Sequence, residues 1–225
     1  MRNAFLAAVL GIDLGEIVES RILPSHLRQK DKDDKLGILD VRVLLNNKEQ
    51  IDIEIQVTAS EYWAERTLFY LGKMFTDQLK PGEDYQKLEK CIHIGILNFT
   101  MFEDEEYYSC FHFWSDQGRK MYSDKVEIHT LELPKLAKYE YPETELLKWL
   151  QFINAETKEE FEMAAEKSEY IKKAYEDLNR ISADEEKRLE YEARERAIRD
   201  HQYFSTVYKN TGLKEGRKKA EDRQL

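Results

Sequence analysis

Residues 37–57 read GILDVRVLLNNKEQIDIEIQV, and the fold turns on how this stretch pairs with itself. Two runs of alternating apolar and polar residues flank the turn-forming segment NNKE, which is the pattern of a β-hairpin. Side chains alternate along a strand, so Glu54 and Gln56 share one face while Ile53, Ile55 and Val57 share the other. With Asn46, Asn47 and Lys48 as a three-residue loop, Asp40 falls opposite Glu54 on the same face. A slip of one residue would separate them unless a bulge corrected it. In that register the hairpin presents two carboxylates and an amide at one spot. Carboxylates held together on rigid strands repel; they are tolerated when exposed, when one is protonated, or when a cation lies between them. Mg²⁺ suits such a place, because it takes one or two carboxylates plus a substrate phosphate and can polarise a phosphodiester and activate a water. Gln56 carries no charge and cannot act as a base, but its amide can orient a water or a phosphate oxygen. A plainer alternative is a solvated face on which Asp40, Arg42, Asp52, Glu54 and Gln56 are simply wet. The spacing alone does not choose between the two.

The helix that follows adds polar groups. TASEYWAERTLFYLGKMFTDQL, residues 58–79, predicts a helix capped by Thr58 or Ser60, with Trp63, Leu68, Leu71, Phe75 and Leu79 as its apolar face. Arg66 and Tyr70 are four apart and share a face. Arginine is a fork-shaped donor to phosphate, and tyrosine can donate a hydrogen bond or stack on a base. The competing readings are a surface salt bridge for Arg66 and a place in the core for Tyr70.

Around these two elements the chain predicts a helix over residues 3–11 ended by Gly11, a short extended stretch containing Pro24, and a charged loop from Arg28 to Lys35. KCIHIGILNFTMF reads as a strand buried on both faces. EYYSCFHFWS and KVEIHTLELPKL read as two more strands. From Tyr141 onward the pattern is helical: ETELLKWLQFI, then a helix opened by Thr157 and Glu160 and running to about Arg180, then one opened by Ser182 and Glu185 and running to about Thr211. The expected organisation is a core over residues 1–140, a helical extension over 141–213 and a charged tail over 214–225. The fold class is α/β (α+β), a mixed central sheet flanked by helices with a helical C-terminal extension.

Composition narrows the function classes. The 225 residues carry a formal net charge of −10, so the overall field does not attract nucleic acid, and any such binding must come from a local basic patch or a bound cation. Cys91 and Cys110 have no CxxC spacing and read as buried free thiols of a reducing compartment. No signal peptide is read at the N-terminus, and no apolar run reaches the length of about 18 residues that a membrane span needs, so the expectation is a cytoplasmic protein. Glycines scattered singly argue against a phosphate loop and a nucleotide cofactor. His93, His112 and His129 lie among apolar strand residues and read as strand residues rather than ligands. The helix from Ser182 is a candidate for self-association into a homo-oligomer.

ILDVRV, IDIEIQV and ERTLFYLGKMFTDQLKPGEDYQKLEKCIHIGILNF, in this order, resemble the PD-(D/E)XK nuclease family transposases, the recombination-promoting nuclease group. The resemblance covers about residues 3–135 and continues more loosely to the GLKEGRKK tail. It implies a restriction-endonuclease-like core that cleaves DNA with Mg²⁺. Carried over by position, Asp40 and Glu54 are the metal-binding acids and Gln56 stands in the place of the superfamily's catalytic lysine, with Arg66 and Tyr70 supporting from the helix. Without the lysine's charge, stabilisation of the transition state falls to the metal or to Arg66. Family members carry a further N-terminal segment with an FK-x-x-F-like helix. The alternative expectation is therefore an N-terminally short, catalytically inactive remnant that acts only in protein interaction.

Overall fold

The computed structural model describes residues 1–25 and 39–183. The loop read from Arg28 to Lys35, the helix beyond Ala183 and the charged tail lie outside the described residues. The elements run α1 (Arg2–Leu10), β1 (Ser20–Leu23), β2 (Val41–Leu45), β3 (Glu49–Gln56), α2 (Trp63–Thr76), β4 (Cys91–Leu97), β5 (Tyr108–Trp114), β6 (Met121–Glu132), α3 (Glu145–Ile153), α4 (Lys158–Glu166) and α5 (Glu169–Ala183). The strands form one mixed sheet in the order β1-β2-β3-β4-β6-β5, consistent with the expected nuclease-type fold. None of the described helices is long and apolar enough to cross a membrane.

The hairpin takes the expected register. Val41 pairs with Ile53 and Leu45 with Glu49, which leaves Asn46, Asn47 and Lys48 as the loop. Asn46 and Asn47 have φ of 49° and 57°, a left-handed conformation that Asn tolerates better than most residues. β4 lies between β3 and β6 and is parallel to both. All seven of its residues are buried, as the continuous apolar run required. α1 ends at Gly11, whose φ of 65° caps the helix.

The two faces of the sheet differ. On one, Leu6 and Val9 of α1 and Leu146 and Leu150 of α3 pack against Val43, Ile51, Ile92, Ile94 and Leu131 in the main core. The boundary read at residue 140 precedes α3, which contributes to this core, and the first compact unit runs from Met1 to Ile171. A second unit begins at Lys172; of it the structure describes the remainder of α5. On the other face α2 covers a smaller apolar cluster of Leu39, Leu71, Met74 and Cys91. The rest of what α2 covers is polar.

Several local expectations are corrected. α2 starts at Trp63, and neither Thr58 nor Ser60 caps it through a side chain. Its inward residues are Trp63, Thr67, Leu71 and Met74, and Leu68 is 52% exposed. The helix read from Thr157 to Arg180 is two, broken at Lys167 and Ser168, although the capping box of Thr157 and Glu160 forms as read. Serine competes with the backbone for hydrogen bonds and favours such a break. Cys110 is exposed, because β5 is an edge strand.

Candidate active site

β3 carries the polar residues and α2 closes over them. Asp52 and Glu54 are two apart, so both point toward α2. They are not wet: Asp52 is 1% exposed and Glu54 2%. The parallel ladder sets Asp52 beside His93 and Glu54 beside Gly95. His93 is fully buried, and its Nδ1 lies 2.8 Å from Asp52 Oδ2. Its Nε2 is 3.4 Å from Thr67 Oγ1, and the Trp63 ring packs on the imidazole at 5.7 Å. Gly95 makes room for that ring, since a Cβ at position 95 would sit 2.9 Å from Trp63 Cζ2.

From the same helix Arg66 reaches down and forms an ion pair with Glu54 Oε1. Its guanidinium lies over the rings of Trp63 and Tyr70, 5.6 and 5.7 Å from their centroids, a cation–π arrangement. The Arg66 side chain keeps 39% of its surface in solvent. The cluster is therefore buried at its acids and open at its arginine. Asp52 Oδ1 and Glu54 Oε2 are buried without a hydrogen-bond partner. Such atoms are rare in folded proteins because each loses its hydration without replacement. One ligand atom each from Asp52, Glu54 and His93 lie within 4.8 Å of one another.

Two flanking groups are held in place by burial. Arg42 pairs across the hairpin with Asp52 and donates from Nη2 to Gln50 Oε1 at 2.5 Å. Burial lowers its pKa, tempered by the carboxylates of Asp77 and Asp52. Burial also pushes the Cys91 thiol up to about 12, so it does not supply a nucleophilic thiolate near neutral pH.

Of the five residues read from the sequence, Glu54, Arg66 and Tyr70 come together. Gln56 is half-buried at the end of β3, and its Nε2 donates to Thr58 O at 2.7 Å. Asp40 lies one step beyond the Val41–Ile53 pair, where the count sets it opposite Glu54. It is exposed, and its Oδ2 accepts from Ile55 N at 3.2 Å. The buried acid beside Glu54 is Asp52 instead, and the third member is His93; the wet-face reading of Asp52 and Glu54 is overturned. The signal for His93 was present, because a polar side chain in a doubly buried strand needs a partner. The signal for Asp52 was its place two residues before Glu54.

A family model described as PD-(D/E)XK nuclease family transposase matches residues 3–206. No curated protein matches the chain, and no solved structure does.

Proposed function

The chain belongs to the PD-(D/E)XK nuclease family transposases, and on that premise we propose that it is a Mg²⁺-dependent DNA endonuclease that hydrolyses phosphodiester bonds at Asp40, Glu54 and Gln56. The observation that carries this reading is Glu54. It is an acid of an E-x-Q strand, 2% exposed, with Oε2 unpartnered beneath a phosphate-seeking arginine. A buried carboxylate oxygen without a donor fits a hard divalent cation, which takes oxygen ligands.

Glu54 would hold the cation from the sheet, with Asp40 joining from the exposed end of the hairpin, and the bound ion would polarise the phosphodiester and lower the pKa of a water. Gln56 aims its amide at the water or at a phosphate oxygen after releasing Thr58 O. Arg66, half in solvent, is placed to leave Glu54 for the scissile phosphate, where its fork matches two oxygens. Tyr70 keeps the guanidinium oriented from beneath. With the chain at a net charge of −10, attraction to DNA is local and depends on the ion and on Arg66.

The test is nicking of supercoiled plasmid by the purified protein with and without Mg²⁺, beside Asp40→Ala and Glu54→Ala. Cleavage that requires the metal and both acids is the expected result. Absence of cleavage by a folded protein would favour the inactive remnant.

A further inference from the structure

We propose that Asp52, Glu54 and His93 form a divalent-cation site that includes an imidazole nitrogen and takes a first-row transition ion in preference to magnesium. It rests on the reading of Glu54 as a metal ligand, and it adds two residues that the Asp40–Glu54 pair does not use.

Three observations carry it. The three ligand atoms lie within 4.8 Å of one another, close enough for one ion to touch all of them. Each acid also keeps one oxygen buried without a partner, Asp52 Oδ1 and Glu54 Oε2, and both residues are at least 98% buried. The imidazole is held as metal-binding histidines are held. Its Nδ1 meets a carboxylate at 2.8 Å, an arrangement that fixes the ring and leaves the other nitrogen's lone pair for a metal. That other nitrogen, Nε2, has only the long 3.4 Å approach of Thr67 Oγ1.

Donor chemistry sets the preference. Magnesium selects oxygen and water and is reluctant to give up its hydration shell. A nearly dry site with a nitrogen donor favours transition ions, whose affinity for such ligands exceeds that of magnesium. Entry is on the side of Arg66, the member of the cluster that reaches solvent. Its ion pair with Glu54 opens as the ion arrives.

The probe is Mn²⁺ added to the full-length, metal-free protein. Bound ion is measured by the loss of the free-ion electron paramagnetic resonance signal, and nitrogen ligation by ¹⁴N modulation of the bound signal. The wild type is expected to bind Mn²⁺ with ¹⁴N modulation and to keep it against a large excess of Mg²⁺. His93→Gln should lose the modulation and weaken Mn²⁺ binding by about tenfold or more, and Asp52→Asn should weaken it likewise. Asp40→Ala should leave the ¹⁴N modulation in place, since the nitrogen donor of this site is His93, whatever it does to Mn²⁺ held by the Asp40–Glu54 pair. Bound Mn²⁺ without ¹⁴N modulation, modulation that survives His93→Gln, or no Mn²⁺ binding would each overturn the proposal. The wild-type spectrum is decisive even where a variant fails to fold. Metal-dependent cleavage without ¹⁴N modulation would sink this site and leave the nuclease reading intact. Modulation without any cleavage would do the reverse.

Discussion

The sheet carries two polar clusters built from similar parts, one on each face. Toward α1 and α3, Glu127 sits with His112, His129 and Lys90. Toward α2, Glu54 sits with Asp52, His93 and Arg66. The Glu127 cluster is closed. Its Oε1 receives Lys90 Nζ at 2.6 Å and His112 Nε2 at 3.0 Å, and its Oε2 lies 3.4 Å from His129 Nε2. His129 is held in turn by Tyr108, whose hydroxyl lies 3.0 Å from Nδ1. The Glu54 cluster is open: each of its two acids has one oxygen engaged and one buried and bare. A closed network replaces the water its groups have lost, and so contributes to holding the fold. An open one leaves part of that cost standing, which a stable protein tolerates where the free atoms are used. Composition does not separate the two clusters; the deeper burial of Asp52, Glu54 and His93 and the count of unmet oxygens do.

The sharpest way to break this contrast is to make the same substitution in both. On the proposed mechanism, Glu54→Gln should cut cleavage by more than about a hundredfold, since it would remove the proposed anionic metal ligand. Its effect on the unfolding midpoint should be small, because one of the two oxygens it alters is unsatisfied already. Glu127→Gln should leave cleavage within a few-fold and destabilise the fold by about 2 kcal/mol, because it weakens charge-assisted bonds from three donors. Denaturant unfolding and plasmid nicking on both variants check this. If Glu127→Gln abolishes nicking without unfolding the protein, the division of roles is wrong.

How much of this could be read from residues alone follows from the range of the interactions. The hairpin register was legible because it is local: a loop of three turn-forming residues fixes which side chain meets which. That β4 is central was legible from its unbroken apolar run. The partnership of Asp52 with His93 was not, because it depends on β3 and β4 lying parallel and in one register across 41 positions. Spacing along the chain carries no such information. α2 misled for a related reason. Hydropathy selects Leu68 for the buried face, whereas the helix turns Thr67 inward. The surface it covers is not a purely apolar one: His93, Asp52 and Glu54 lie there, and a small hydroxyl meets them better than a leucine. Helix periodicity was read correctly while the chemistry of the opposing surface was assumed.

The contrast is sharpened by acid. Burial alone would raise the pKa of Glu127, but hydrogen bonds from His129, Lys90 and His112 outweigh it and bring the carboxyl down from an ordinary 4.5 to about 2. A folded-state pKa below the unfolded one contributes stability that is fully present above about pH 4.5. That stability is lost as pH falls toward 2. With allowance for solvent screening the loss is about 2 kcal/mol or less. Unfolding midpoints measured between these pH values should fall for the wild type and fall less steeply for Glu127→Gln. Equal slopes would show that the bonds to Glu127 do not hold in solution.

The smallest expected effect tests how tightly the open cluster is shaped. Gly95 stands beside Glu54 in the ladder, and an added Cβ would meet Trp63 Cζ2 at 2.9 Å. Trp63 is 3% exposed, so its ring cannot swing into solvent; it must press on His93 or shift along α2. Because the same ring lies beneath Arg66, the displacement reaches the ion pair with Glu54. Gly95→Ala should therefore cost about 1 kcal/mol from overpacking and lower cleavage along with it. Gly72→Ala is the matched control. Gly72 lies in the same helix with nothing within 4 Å of a new Cβ, and replacing a helical glycine by alanine should raise stability by about 0.5–1 kcal/mol with cleavage unchanged. The two variants add the same methyl group, one above the cluster and one to open solvent. If both behave alike, the packing of Trp63 against the sheet is not what shapes the site.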